Sequence, residues 1–265
     1  MGGSEAVDAR YAGLHRRAME VLLADERVVD VEVHGSIATG TADKWSDLDL
    51  KVIVRESDVR SFLDDWQQWL AAITPTVFAD RPIAPFIVNA VTADGLTFDL
   101  SVWADTAAAW DPQDGFTVGL LSGRRYDNYP DAVAYAVREQ LRGLAGPLIK
   151  FLQRGQHISH FTGLGHTIGL LTTVLLAETD TRVDGGRPAD ALSTEQRWVI
   201  ANLPAVQPTF QSLLAFEFAI ANEVLTRGRR LIAGYGLEWP SAFEAVAVKN
   251  LRERLGVVPD FLAAP

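Results

Sequence analysis

Residues 31–54 read VEVHGSIATGTADKWSDLDLKVIV, and this stretch decides the fold of the first half of the chain. The pattern predicts a strand, a tight turn at Gly35 and Ser36, a short helical segment and a second strand. Asp47 and Asp49 lie one residue apart at the second strand. Side chains at positions i and i+2 of a strand point to the same face, about 6.6 Å apart along the chain. Two carboxylates in that arrangement are able to share a metal ion.

The turn at Gly35 and Ser36 is the predicted phosphate site. A helical turn that starts there exposes unpaired backbone N–H groups with a partial positive charge, which is where phosphate binds. Gly35 has no Cβ, so a triphosphate is able to approach its backbone. The Ser36 hydroxyl is able to cap the turn or to donate to a phosphate oxygen. The spacing G-S-x10-D-x-D therefore predicts a phosphate-binding turn followed by a metal-binding pair.

Residues 35–54, GSIATGTADKWSDLDLKVIV, resemble the signature of the DNA-polymerase-beta-like nucleotidyltransferase superfamily. In that superfamily a Gly-Ser turn is followed by a D-x-D or D-x-E strand. Gly40 and Ser46 also resemble the small minimal nucleotidyltransferase variants of the pattern. The resemblance covers about the first half of the chain. It implies a nucleotidyltransferase in which Gly35, Ser36 and Ser46 contact the nucleotide.

The family pattern asks for a third acid on a later strand, and Asp99 supplies one. Residues 86–91 and 96–103 are β-rich runs joined through Ala93-Asp94-Gly95, and Asp-Gly between such runs is a strong hairpin signal. Asp99 lies mid-strand among apolar neighbours, where an acid is costly to bury without a partner. A metal ion would be that partner. The alternative is that the hairpin lies at the edge of the sheet and that Asp99 faces water.

The resemblance implies the chemistry of these acids. A substrate hydroxyl attacks the α-phosphorus of ATP or another nucleoside triphosphate, and two Mg²⁺ ions stabilise the charge on both apical oxygens. Asp47 and Asp49 are then expected to bridge the ions. Asp99 completes the site as a metal ligand, a general base or both, and the sequence leaves these roles open. All three acids are thus candidate catalytic residues and candidate metal ligands.

The composition bears on the partners. The 265 residues include 34 acids and 24 bases, which gives a formal net charge of −10. A field of that sign repels phosphate backbones and attracts cations, so a cationic acceptor is expected and nucleic acid is not. The chain has no cysteine, which excludes disulfides and fits a reducing cytoplasm, the predicted localisation. The apolar run at residues 163–177 is short for a membrane span and predicts a buried helix, so no membrane partner is expected.

The domain organisation follows from a change in periodicity. Strand patterns stop after residue 103, and apolar positions recur at helical spacing from residue 131 onward. The sequence predicts an α+β fold, with a nucleotidyltransferase-type mixed β-sheet and flanking helices at residues 1–129. An all-α helical bundle follows at residues 130–265, and the resemblance implies that this domain binds the substrate. Antibiotic nucleotidyltransferases have a similar organisation.

Three helical features are specific enough to compare with a structure. One continuous helix is predicted from Ser57 to residue 70, and a helix that is apolar nearly all round is predicted at residues 164–178. Ser193, with Gln196 three residues later, predicts a capping box.

Basic residues and histidines of the second half leave alternatives open. Lys150 and Arg154, one helical turn apart, are candidate contacts to the β- and γ-phosphates, or they form a basic surface turn. His157, His160 and His166 lack the cysteine or acid of a zinc spacing and are interpreted as structural or surface residues. Arg154 and His160 also give an R-x5-H spacing that resembles the ribonuclease motif of HEPN domains.

Taken together, the sequence predicts transfer of AMP from ATP to a hydroxyl of a small cationic acceptor such as an aminoglycoside. The alternatives are a lincosamide acceptor, a protein hydroxyl as in toxin-antitoxin AMPylation, and a nucleotide-binding sensor without catalysis. Whether the protein is a monomer or a homodimer is undecided. Acids of the second half are candidates for binding the amino groups of the acceptor: Glu178, Asp180, Glu217 and Glu223.

Overall fold

The structure, a computed structural model, describes residues 9–81, 86–106, 128–181 and 188–263. The chain divides into two compact units, Met1–Val118 and Gly119–Pro265. This division falls among residues 107–127, which lie outside the described ranges. The predicted boundary at residue 129 therefore stays a prediction.

The first unit combines helices with a five-stranded sheet. Its helices are α1 (Arg10–Leu22), α2 (Gly35–Ala38), α3 (Val59–Asp64) and α4 (Trp66–Ile73). Its strands are β1 (Val28–His34), β2 (Leu48–Val54), β3 (Thr76–Asp80), β4 (Ile87–Thr92) and β5 (Thr97–Ala104).

The sheet is mixed, as predicted, with the strand order β1-β2-β5-β4-β3. The central strands β2 and β5 run parallel, and every other neighbouring pair is antiparallel. Parallel strands require a long crossover. Here the chain between β2 and β5 forms α3, α4 and the two strands that complete the sheet. The expected α+β class, a mixed sheet with flanking helices followed by a helical region, is confirmed.

One face of this sheet forms the hydrophobic core of the first unit. Alternate residues of β2 and β5 are buried, which follows from the two-residue period of a strand. Helices α1, α3 and α4 contribute the other side of the core. The buried strand residues are Leu48, Leu50, Val52, Val54, Phe98, Leu100 and Val102. The opposite face of the same two strands carries the polar side chains.

The helix predicted from Ser57 to residue 70 is not continuous. A 3₁₀ turn at Glu56–Asp58 precedes α3, and the chain breaks at Asp65 before α4 begins. The Trp69 indole donates to the backbone carbonyl of Phe62 at 3.1 Å, and the Asp65 carboxylate lies 2.9 Å from the guanidinium of Arg27. These tertiary contacts override the helical periodicity of the segment.

The second unit consists of helices. They are α5 (Tyr129–Ala145), α6 (Pro147–Gln153), α7 (His157–Glu178), α8 (Thr194–Ala201), α9 (Phe210–Gly234), α10 (Ser241–Asn250) and α11 (Asp260–Ala263). The capping box of Ser193 and Gln196 is present at the start of α8. A π-helical turn at Leu251–Leu255 extends α10, and Gly256 ends it in the left-handed conformation, with a φ of 75°.

Helix α7 packs against α5 and α9. It begins at His157, two turns before the predicted start at residue 164, because its first turns carry polar residues that apolar periodicity does not register. By length and composition α7 is able to cross a membrane. Its buried residues instead contribute to the packing of the helical unit, as predicted for residues 163–177.

Close packing of α5 on α9 depends on Gly228. A Cβ at this position would overlap the Cγ2 atom of Val137, which is fully buried on α5. We expect Gly228→Ala to destabilise the protein by about 1–3 kcal/mol, since a filled core has no room for an extra methyl group. Urea unfolding followed by circular dichroism measures this change in the free energy of unfolding.

Gly165 on α7 provides the matched control. A Cβ there meets nothing within 4 Å, so Gly165→Ala should leave stability unchanged or raise it by up to about 1 kcal/mol. Adding Val137→Ala to Gly228→Ala should recover part of the loss. Equal effects of the two glycine replacements would contradict the predicted overlap.

Candidate active site

The three predicted acids lie together on the polar face of the sheet. Asp47 immediately precedes β2, Asp49 is its second residue, and Asp99 is the third residue of β5. The parallel pairing of these strands places Asp49 directly opposite Asp99. One carboxylate oxygen from each acid lies within 4.8 Å of the other two. The structure therefore brings together all three acids that the sequence singled out.

The Asp49 carboxylate leaves no room for a side chain at position 35, so this position has to be a glycine. Gly35 has a φ of +62°, and a Cβ built on it would overlap Oδ2 of Asp49 and lie 2.9 Å from its Cγ. The sequence suggested that the missing Cβ allows a triphosphate to approach. The structure gives a further reason, because the Asp49 carboxylate itself occupies the space beside the Gly35 Cα.

Helix α2 begins at this glycine but forms only one turn, Gly35–Ala38. A helix of that length has a small dipole, so any contact with phosphate depends on its leading backbone N–H groups. Helix α2 contacts both β1 and β2. The turn is thus held beside the strand that carries Asp49.

A hydrogen-bonded loop fixes Ser36. Its hydroxyl donates to Oγ of Ser46 at 3.0 Å, and Ser46 Oγ accepts from the backbone N–H of Asp43 and donates to its carboxylate. Asp43 also accepts from the N–H of Trp45 at 2.9 Å. Ser46 is only 1% exposed, so the structure places it behind Ser36 as its support. Contact of the Ser36 hydroxyl with a phosphate oxygen would require that hydroxyl to turn away from Ser46.

Two supporting residues escaped the sequence analysis. Asp43 organises the loop before β2, and its position three residues before Ser46 is typical of a turn stabilised by an aspartate side chain. Asn89 lies opposite Asp99 on β4, is 3% exposed and donates from Nδ2 to Oδ1 of Asp99 at 2.7 Å. A polar residue within the apolar run of β4 is the signal that indicates Asn89.

The donor set fits a hard divalent cation. Mg²⁺ and Ca²⁺ prefer carboxylate oxygens, and three of these converge here from two adjacent strands. Among the described residues, no other set of three acidic or histidine side chains converges as closely. Asp47, Asp49 and Asp99 are therefore the residues that are able to hold such a metal.

Comparison with known proteins agrees with this geometry. Residues 15–99 match the model of the nucleotidyltransferase domain, a segment that begins in α1 and ends at Asp99. The chain contains a nucleotidyltransferase domain. The resemblance inferred from the sequence is thus confirmed, together with the expected class of enzyme. That class implies a nucleoside triphosphate substrate, an acceptor and a divalent metal.

Two solved structures are distantly similar to this nucleotidyltransferase. One is an aminoglycoside 6-adenyltransferase from Bacillus subtilis, with 13% identity, a TM-score of 0.37 and coverage of 90% of this chain and 95% of the other. The second is a STING-associated CdnE c-di-GMP synthase from Capnocytophaga granulosa, with 14% identity, a TM-score of 0.30 and coverage of 85% and 81%. No curated protein sequence matches the chain significantly.

The basic candidates of the nucleotidyltransferase belong to its helical unit. Lys150 lies within α6, and Arg154 caps the C-terminus of that helix. Their contact with a triphosphate stays a prediction. His160 packs against Phe151 with a ring distance of 5.4 Å, and its Nε2 lies 3.0 Å from the buried carboxylate of Glu217. These contacts favour a structural or local role for His160 over the HEPN hypothesis.

The Gly35 contact yields a testable prediction for the metal site. We expect Gly35→Ala to displace the Asp49 carboxylate and to weaken divalent-metal binding about 10–100-fold, the usual effect of disturbing the support of a ligand. Electron paramagnetic resonance of Mn²⁺, titrated into the protein, measures the affinity directly.

Gly40→Ala is the matched control. Gly40 also has a positive φ, +68°, but a Cβ there meets nothing within 4 Å. This variant carries the backbone strain alone. If Mn²⁺ binds equally well to the two variants, the contact between Gly35 and Asp49 does not support the site.

Proposed function

We propose that this nucleotidyltransferase transfers AMP from ATP to a hydroxyl of a small cationic acceptor such as an aminoglycoside, and releases pyrophosphate. Such a transfer would modify an antibiotic in the cytoplasm, where ATP and Mg²⁺ are available. The observation that carries the proposal is the convergence of Asp47, Asp49 and Asp99 within 4.8 Å, next to the Gly35 turn. Binding of a nucleoside triphosphate requires this combination of a metal site and a backbone that phosphate is able to approach.

The acids would hold two Mg²⁺ ions, with Asp47 and Asp49 shared and Asp99 completing the set. When bound, these ions would neutralise the phosphates and the charge that develops on the departing pyrophosphate. Because Asp49 is wedged against Gly35 and Asp99 is paired with Asn89, the carboxylates are oriented by the protein before any ligand arrives. Preorganised charge of this kind contributes strongly to catalysis.

Asp99 is the residue that we assign to the acceptor hydroxyl. The hydroxyl oxygen forms a bond to the α-phosphorus, and the bond between that phosphorus and the oxygen bridging to the β-phosphate breaks. The hydroxyl proton passes to the Asp99 carboxylate, whose orientation is fixed by the 2.7 Å hydrogen bond from Asn89. The products are the adenylylated acceptor and pyrophosphate.

Nucleotide binding is assigned to the turn after β1 and to the helical unit. The backbone of Gly35 would contact the phosphates, and so would the Ser36 hydroxyl once it turns away from Ser46, to which it donates in this structure. Lys150 and Arg154 supply positive charge for the β- and γ-phosphates in this proposal. The arginine side chain suits two phosphate oxygens at once, whereas the lysine acts as a point charge.

A single buried acid, rather than the overall charge, supports a cationic acceptor bound by residues 130–265. The net charge of −10 lies in residues 1–129, because residues 130–265 contain 13 acids and 13 bases. Of the acids considered, Glu178 is paired with Arg227 and Arg230, and Glu223 is paired with Arg227. Glu217 is 3% exposed and lies beside a histidine. Asp180 is exposed, so Glu217 is the one acid of these four that is buried without an arginine partner among the described residues, and we assign the amino group of the acceptor to it.

Pyrophosphate release tests the proposal. The protein is incubated with Mg²⁺ and each nucleoside triphosphate against a panel of aminoglycosides, lincosamides, hydroxyl-bearing proteins and tRNA. We expect release with ATP that depends on an aminoglycoside and that is lost in Asp47→Asn while circular dichroism shows an intact fold. Release with another acceptor, or full activity of Asp47→Asn, would contradict the proposed acceptor or the proposed metal pair.

Asp99→Asn separates the two roles of that acid. If Asp99 accepts the hydroxyl proton, turnover should fall by about 10²–10⁴-fold, the usual contribution of a general base. Nucleotide affinity, measured by calorimetry, should change far less. A variant that loses nucleotide affinity and keeps its turnover at saturation would show that Asp99 acts chiefly in binding.

A further inference from the structure

The helical unit contains a second cluster of polar residues, which lines a cavity of about 160 Å³ that is partly open to solvent. Helices α5, α6, α7 and α9 contribute its walls. Two glutamates and two histidines line it: Glu139, Glu217, His160 and His166. Glycines at its wall, Gly143 and Gly163, have no atom within 4 Å of the position where a Cβ would lie. The walls of the cavity are therefore mainly apolar and carry a few polar side chains, with space left beside two of its helices.

Two carboxylates are buried at this cavity with unequal compensation. Glu139 is 2% exposed and lies 2.9 Å from the guanidinium of Arg142 and 3.7 Å from Nε2 of His166. Burial raises the pKa of Glu139, but Arg142 and His166 outweigh it and hold the pKa below its ordinary value. The buried charge of Glu139 is thus matched by an arginine, which is always protonated.

Glu217 has no such partner among the described residues. Its Oε1 lies 3.0 Å from Nε2 of His160, yet neither atom has a hydrogen bond of acceptable direction within the described part of the protein. An imidazole also carries a full charge only when it is protonated. A carboxylate that is 3% exposed without a matched charge is costly to bury.

A second acceptor at the cavity is unsatisfied as well. Gln140 is 1% exposed, and its Oε1 has no hydrogen-bond partner among the described residues. Buried polar atoms in native proteins are almost always paired, so each exception needs an explanation. Glu217 and Gln140 both present oxygen acceptors. The missing partner is therefore a donor of hydrogen bonds, and the carboxylate favours one with a positive charge.

The geometry distinguishes between two kinds of cation. A metal ion needs three or more converging ligand atoms, and the acids and histidines of this cavity do not form such a set in the described ranges. An ammonium group carries three N–H donors and needs no fixed coordination shell. A cavity of about 150 Å³ accommodates a six-membered ring such as benzene, so this one has room for a ring that bears an amino group.

We propose that the cavity between α5, α6, α7 and α9 is a binding site for the ammonium group of a small cyclic amine, with Glu217 and Gln140 as its acceptors. Glu217 supplies the counter-charge, and Gln140 supplies a neutral oxygen. An amino group of this kind is also what the proposed acceptor carries. The binding test needs neither nucleotide nor metal, however, so its failure and the failure of the proposed transfer reaction are distinguishable.

Cyclohexylamine and its neutral analogue cyclohexanol are the probes, titrated into the 265-residue protein and followed by protein-observed NMR at neutral pH. The wild-type protein should bind cyclohexylamine at least tenfold more tightly than cyclohexanol. Glu217→Gln should weaken the amine at least tenfold and leave cyclohexanol unchanged. Asp47→Asn should bind both probes as the wild type does.

Two further variants complete the experiment. Glu223→Gln removes the same charge from the same helix at a residue paired with Arg227, and it should not change amine binding. Gly163→Phe places a ring at the cavity wall without lowering helix propensity, and this variant should not bind the amine. It also tests the proposal independently, in case Glu217→Gln does not fold. Equal affinity of the two probes, no binding of the amine, or wild-type amine binding in either Glu217→Gln or Gly163→Phe would overturn the proposal.

Discussion

The parallel pairing of β2 with β5 is the constraint on which the site depends. It places Asp49 opposite Asp99 and brings Asp47 close to both. Two carboxylates at such distances repel each other by about 3–4 kcal/mol at an effective dielectric constant near 20. The apolar side chains of the sheet make no contact that compensates the acids for this repulsion. Buried and more exposed residues alternate along the two strands, and this alternation fixes the pairing register, because a slip of one residue would turn the whole apolar face outward.

A bound divalent cation would offset this repulsion, which is why the same arrangement is useful in a nucleotidyltransferase. The contacts around the acids all hold the carboxylates in place. Gly35 leaves room for the Asp49 carboxylate, and Asn89 donates to Asp99 from the neighbouring strand. Each contact fixes the orientation of a negative group that would otherwise move away from the others. The hydrophobic core of the sheet provides the folding stability that outweighs the repulsion between these acids.

Local patterns predicted most of this site from the sequence. The glycine turn, the one-residue spacing of Asp47 and Asp49, and the strand that carries Asp99 are all short-range features. What the sequence did not provide was the pairing register. The connection through Ala93, Asp94 and Gly95 did not specify which residue of β4 faces Asp99, and the structure places Asn89 there, with a turn that starts at Thr92. The overlap of a Gly35 side chain with Asp49 also depends on how α2 packs on β2, which no local pattern reveals.

In the helical unit, periodicity located the helices and missed the meaning of their buried acids. Net charge attracts cations to the protein as a whole but does not distinguish one glutamate from another. The ion-pair partners of these glutamates do distinguish one from another. Glu178 and Glu223 each contact an arginine, as acids in a stabilising surface network do, and Glu139 has Arg142. Glu217 is as deeply buried as Glu139 but has only a histidine within ion-pair distance in the described part of the chain. A buried charge without a matched partner lowers stability, so its presence beside an open cavity is better explained by a ligand than by packing.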